Sequence, residues 1–270
     1  MTLCNEKNRS TPLNALTVGN ASVQVFHSKI EASHAAASKA AAILSAVISE
    51  KGVARMIVGT GLSQADLIDA LVRNEKLDWN RVEVFHMDEY VGLPESHPAS
   101  FRRWLRTHHV DVVRPKQAYY LNADESDLAK ECQRYGELLS AAPIDLCFLG
   151  FGENGHIAFN DPHAADFKDP LVVKRVRLDE KCRRQQVGEG NFESIGAVPQ
   201  EALSITCPVL LSAHYVISCV PDHRKAEAVR DALEGPLSES CPASIVRTHP
   251  QAFIFLDRDS ASLLSWREDR

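Results

Sequence analysis

One repeated pattern constrains this chain more than any other. A short, continuously apolar run is followed by a polar or glycine-rich break, and then by text with helical spacing. Arg55-Met56-Ile57-Val58 breaks at Gly59, Val82-Glu83-Val84-Phe85-His86 breaks at Met87-Asp88, and residues 144–149 run into Gly150. Residues 215–220 and 252–256 repeat the apolar motif. Between these runs, helices are predicted over residues 28–50 (rich in alanine), 65–74, 98–109, 126–139 and 223–234, with a last short helix after residue 256. Strands that are apolar along their whole length are those covered on both faces. The pattern therefore predicts an α/β fold: a doubly wound, mostly parallel sheet with helices on both faces, a Rossmann-like three-layer sandwich. Residues 1–20 read as a loose leader and residues 21–270 as a single domain.

Composition narrows the function classes. Thirty basic against thirty-six acidic residues leave a formal charge of -6. That balance argues against nucleic acid or an anionic membrane as a partner, since both need a positive field. The seven cysteines include Cys4 and show no C-x-x-C spacing, which fits free thiols better than disulfides or a zinc site. No run approaches the ~18 apolar residues of a membrane span, and the N-terminus lacks a signal-peptide core. A cytoplasmic protein is the expectation, with a homo-oligomer left open.

Ligands of open α/β sheets sit at the carboxyl ends of the strands. Three polar segments follow strands here. Gly59-Thr60-Gly61-Leu62-Ser63 suits a phosphate, which backbone N–H groups and a helix start would hold. An ordinary turn with Ser63 as N-cap explains the same residues. Met87-Asp88-Glu89-Tyr90 places adjacent carboxylates at a strand end, where burial or a like-charged neighbour can raise a pKa and make a base. A solvated acidic turn is the plainer alternative. In Gly150-Phe151-Gly152-Glu153-Asn154-Gly155-His156, the histidine is surrounded by Glu153, Asn154 and Asp161, groups able to fix its tautomer. One histidine without a second His or Cys at ligand spacing does not make a metal site. Among the basic residues, Lys225 is best placed to meet an anion, Arg183 and Arg184 come next, and residues 174–177 read as a solvated face.

Met87-Asp88-Glu89-Tyr90-Val91-Gly92-Leu93-Pro94, His97-Pro98 and Gly155-His156-Ile157-Ala158-Phe159-Asn160 together resemble the glucosamine-6-phosphate deaminases, relatives of the 6-phosphogluconolactonases. The similarity runs over residues 59–256. The resemblance implies a doubly wound α/β sandwich and no metal or redox cofactor. It makes Asp88 the base that moves a proton between C2 and C1 of the opened sugar, with Glu89 as a support. His156 becomes the ring-opening histidine, with Asp161 where the family usually has Glu. Thr60, Gly61 and Ser63 resemble the phosphate loop, and Lys225 the phosphate lysine.

The chain also departs from the family. Asn154 stands where Asp is usual, and is read as an amide that orients the imidazole, with Glu153 as compensation. Leu62, Ser63 and Gln64 replace the second half of the phosphate loop. The family's phosphate arginine has no clear counterpart, so Arg183 and Arg184 are candidates. His163-Ala164-Ala165 replace the serines of the activator site in allosteric members. The implied reaction converts D-glucosamine 6-phosphate and water to D-fructose 6-phosphate and ammonia. A 6-phosphogluconolactonase-type hydrolase and a non-catalytic sugar-phosphate sensor are the alternatives.

Overall fold

The computed structural model of the protein describes residues 11–265. Strands Asn14–Val18 (β1) and Ala21–Phe26 (β2) precede helix Lys29–Lys51 (α1), the helix expected from the alanine-rich text. Ser28 caps it by accepting from the Glu31 N–H at 3.3 Å, while Glu31 Oε2 accepts from the His27 N–H at 3.1 Å. Gly52 ends it at φ 83°, a left-handed conformation that a side chain would strain.

Then come Ala54–Val58 (β3), Leu62–Val72 (α2), Val82–His86 (β4), Asp88–Tyr90 (β5) and Phe101–Leu105 (α3). A π-helical turn, Arg106–Val110, leads into Asp111–Val113 (α4), Gln117–Tyr119 (β6), Leu128–Ser140 (α5) and Leu146–Leu149 (β7). The second half adds Val173–Arg177 (β8), Glu180–Gly188 (α6), Glu201–Ile205 (β9) and Cys207–Leu210 (α7). Tyr215–Val220 (β10), Ala226–Leu233 (α8) and Ala252–Asp257 (β11) complete it.

Eight strands form one sheet in the order β1-β2-β11-β10-β7-β3-β4-β6, parallel except for the antiparallel β1–β2 edge. Alternate residues of β3 separate two cores. Met56 and Val58 join Leu44 of α1 and Leu67 and Ile68 of α2, whereas Ile57 faces Tyr135 and Leu139 of α5 and Val229 of α8. Both sheet faces are thus covered, which is why the central strands are apolar throughout. The chain leaves β3 for β4 and β6, then returns to β7 on the other side of β3 and continues to β10 and β11. Winding reverses between β3 and β7, and a crevice opens beyond their carboxyl ends.

A second sheet, β5-β9-β8, is antiparallel and shares an apolar cluster of Tyr90, Phe159, Val176 and Phe192. The sequence pattern does not contain it. Part of the basic run read as a solvated face is its edge strand, with Lys174 bonded to Asp169 at 2.7 Å and Arg175 paired with Glu201.

Other expectations need correction. Residues 14–18 of the expected leader are strand β1, paired to β2 from Asn14↔Val25 to Val18↔Ala21, and residues 1–10, with Cys4, lie outside the described residues. The last short helix is absent among the described residues, where turns follow β11 as far as residue 265. Cys132, Cys147, Cys182, Cys207, Cys219 and Cys241 carry free thiols. No helix of the described residues is long and apolar enough to cross a membrane.

Candidate active site

The crevice at the β3/β7 switch is a cleft open to solvent. Gly59 to Gln64 line one wall, Met87 and Asp88 another, and Gly150 to Gly152 with His156 a third. Gln185, Gln186 and Glu189 close it from α6 and its C-terminus, and Lys225 enters from the loop after β10. The three strand-end segments singled out from the sequence therefore share one cleft.

Glycines set the close approaches. A Cβ at Gly152 would lie 2.2 Å from the His156 ring, so the imidazole occupies the space that any side chain there would need. Gly61, at φ 100°, turns β3 into α2 and is itself the N-cap, with Ser63 inside the first turn. Ser63 is therefore not the cap that the turn alternative requires. Thr60 Oγ1 and Gln64 Oε1 are buried without partners in this wall.

Asp88 and Glu89 are both buried, and their surroundings differ. Burial pushes the Asp88 carboxyl up to about 8, and the neighbouring charge of Glu89 adds to the shift. Glu89 points away from the cleft into the start of α3. It accepts from Ser100 Oγ at 2.8 Å and from the N–H groups of Arg102 at 2.8 Å, Phe101 at 3.2 Å and Tyr90 at 3.0 Å. Burial raises Glu89 too, and these bonds offset part of the rise.

His156 Nδ1 lies 3.1 Å from Asp161 Oδ1. Burial would raise Asp161, but its contacts with His156, Asn154 and the Asp179 N–H outweigh burial and hold it below its ordinary value. Asn154 differs from the sequence reading. Its Oδ1 accepts from the backbone N–H of His156 at 3.1 Å and makes no hydrogen bond to the imidazole. Its Nδ2 bridges two carboxylates, Asp161 at 2.8 Å and Asp179 at 2.6 Å. An amide fits here because it supplies two donors between two acids, and an aspartate would supply none. Glu153 does not compensate for it: its carboxylate pairs with Arg224 at 2.6 Å. Asp161 is the group that faces the ring.

Lys225 is buried, and desolvation pulls its ammonium down. The turn that aims it is held by Asp222, a non-glycine residue at φ 86° whose side chain accepts from the Arg224 N–H at 3.1 Å. Arg183 and Arg184 are not in this cleft. Arg183 donates to the carbonyls of Ile195 and Val198, and Arg184 pairs with Glu180 in solvent. Gln185, Gln186 and Glu189 are cleft residues that the sequence reading missed, and Gln64, read only as a departure within the phosphate loop, also lines the cleft. His156, Asp161 and Cys182 bring potential metal ligands within 4.8 Å of one another. Asp161 already accepts from Asn154 Nδ2 and the Asp179 N–H and faces His156, and burial pushes the Cys182 thiol well up, so this set is built around the histidine.

Residues 27–255 match the family model described as glucosamine-6-phosphate isomerases/6-phosphogluconolactonase. Glucosamine-6-phosphate deaminases of Bacillus cereus (strain B4264) and Bacillus anthracis (strain CDC 684 / NRRL 3495) are each 35% identical over 223 residues, 83% of this chain and of each relative. A monomeric glucosamine-6-phosphate deaminase of known structure superposes with a TM-score of 0.82 at 31% identity, covering 89% of this chain and 99% of its own. A 6-phosphogluconolactonase from Thermotoga maritima shares the fold, with a TM-score of 0.71 at 18% identity, covering 88% and 99%. By sequence and by fold, the chain belongs to the glucosamine-6-phosphate isomerase/6-phosphogluconolactonase family.

Proposed function

We propose that the chain is a glucosamine-6-phosphate deaminase, converting D-glucosamine 6-phosphate and water to D-fructose 6-phosphate and ammonia. The observation that carries this reading is a buried carboxyl, Asp88, held up to about 8 in the same cleft as the His156–Asp161 pair. A base poised near the working pH combines a usable ionised fraction with real basicity. Similarity to named deaminases supports the same choice.

The phosphate binds between the Thr60–Ser63 loop at the start of α2 and Lys225. His156, oriented by Asp161, protonates the ring oxygen as the C1–O5 bond breaks, and the C1 hydroxyl gives up its proton to leave an aldehyde. Asp88 then takes the C2 proton, the freed pair forms the C1=C2 double bond, and the carbonyl π pair moves onto the C1 oxygen, which is protonated to give an enolamine. Return of a proton to C1 makes the C2 imine. Water adds to C2 and ammonia leaves, giving the ketose. Each proton is returned, so no redox partner is required.

Purified protein is expected to release ammonia and fructose 6-phosphate in equal amounts from glucosamine 6-phosphate. Hydrolysis of 6-phosphogluconolactone with no ammonia from any amino sugar phosphate would replace this reading with the lactonase. Binding of phosphosugars without either reaction would replace it with a sensor.

A further inference from the structure

The phosphate end of the cleft carries an acid as well as a base. Glu189 Oε1 lies 4.0 Å from Lys225 Nζ, and both side chains are at most 10% exposed. Gln185 Nε2 donates to the same Oε1 at 2.8 Å and holds the carboxylate toward the cleft. No arginine is among the described residues that line this cleft. Lys225 is therefore the fixed cation there, and a carboxylate already neutralises it.

Glu189 is also in an unfavourable place for its own helix. It is the C-cap of α6, where carbonyl groups gather and the helix dipole favours cations. A buried acid at that end is destabilising unless something nearby needs it. The buried ammonium of Lys225 is that need.

We infer that Glu189 is an internal counter-anion that the substrate's phosphate must displace from Lys225, and so a residue that sets phosphate affinity. This rests on the reading of Lys225 as the phosphate lysine. A phosphate oxygen bonded to Nζ at ~2.8 Å could be no more than about 7 Å from Glu189 Oε1, so the two anions repel unless the carboxylate swings away. Glu189 thus weakens binding of the anion while stabilising the buried ammonium.

Calorimetric titration with inorganic phosphate and with fructose 6-phosphate tests this, using the full chain, Glu189→Gln, Lys225→Met and the double variant. Glu189→Gln should tighten both ligands by roughly 10- to 100-fold, with KM for glucosamine 6-phosphate falling and kcat moving less. Lys225→Met should weaken both, and the gain from Glu189→Gln should vanish when Lys225 is absent. Glu189→Asp, which draws the carboxylate back by one methylene, should give a smaller gain and serves if the glutamine variant folds poorly. Unchanged or weaker binding in both Glu189 variants, with Lys225→Met still weakened, overturns the counter-anion alone. Normal phosphate binding in Lys225→Met overturns the placement of phosphate at Lys225, and the inference with it.

Discussion

The two faces of strand β5 treat a buried carboxylate in opposite ways. On one face Glu89 accepts four hydrogen bonds from Tyr90, Ser100, Phe101 and Arg102, and it also faces the Arg102 guanidinium at 3.6 Å. On the other face Asp88 looks into the cleft, and no hydrogen bond lowers its pKa. The difference separates a hydrogen-bonded acid from the one proposed above as the base. Glu89 spends its lone pairs fixing the start of α3 to β5. Asp88 keeps its own for a substrate.

The largest expected effect comes from removing the proposed base. In Asp88→Asn, exchange of the C1 hydrogen of fructose 6-phosphate with deuterated water should fall by roughly 100- to 10,000-fold, while binding of that sugar changes little. Near-normal exchange would shift the base to another group. The same variant should be more stable than the parent at neutral and higher pH. Asp88 titrates near 3.8 in the unfolded chain and at about 8 in the fold, so between these values the folded form binds the extra proton. Stability therefore falls as pH rises through that window. Thermal unfolding should show an advantage of Asp88→Asn that is absent at pH 3.5 and grows up to pH 8.

Removing the hydrogen-bonded acid should invert this result. Glu89→Gln sets an amide donor among groups that are all donors, and should cost about 2–4 kcal/mol of stability. Exchange should fall much less than in Asp88→Asn. Loss of the neighbouring charge should also move the rising limb of the kcat/KM–pH profile below about 8, because Glu89 adds to the shift of Asp88. If Glu89→Gln abolishes exchange and leaves stability intact, the two faces have been assigned the wrong way round.

The comparison also explains what the sequence could disclose. Strands β3, β7 and β10 and helix α1 were legible because burial on both faces leaves continuous apolar runs, and an alanine-rich face can lie close to the sheet. Asp88, His156 and Lys225 were legible because each follows such a run. The β5-β9-β8 sheet was not, since its strands mix charged and apolar residues, as in Val-Lys-Arg-Val-Arg over β8. Arg183 drew attention as a charge near the expected site, yet its guanidinium caps the Ile195 and Val198 carbonyls. Gln185, Gln186 and Glu189 gave no signal because α6 is polar nearly throughout, and only its docking on the cleft decides which amides matter. Glu89 was read beside Asp88 as a support, and its four bonds tie β5 to the start of α3.

The smallest expected effect tests whether lack of a partner alone marks a reactive group. His109 is fully buried, both ring nitrogens lack partners, and its ring meets Trp79 edge-on at 4.8 Å, outside the residues lining the cleft. Burial pushes its pKa down to about 3 from an ordinary value of 6.5. Below pH 6.5 the unfolded chain takes up a proton that the folded form refuses, so stability is lost as pH falls from 6.5 toward 3. His109→Phe keeps an aromatic ring against Trp79 and removes the titration. Unfolding midpoints at pH 7.5 should differ little from the parent, and at pH 5.5 the variant should gain about 1.4 kcal/mol in relative stability, one pH unit of linkage. Its deaminase rate should match the parent's at both values. A gain in acid stability with unchanged activity would make His109 an unsatisfied group with no chemistry, so lack of a partner would not by itself mark a reactive group. A large loss of activity would break that rule and extend the site to the helical segment that carries His109.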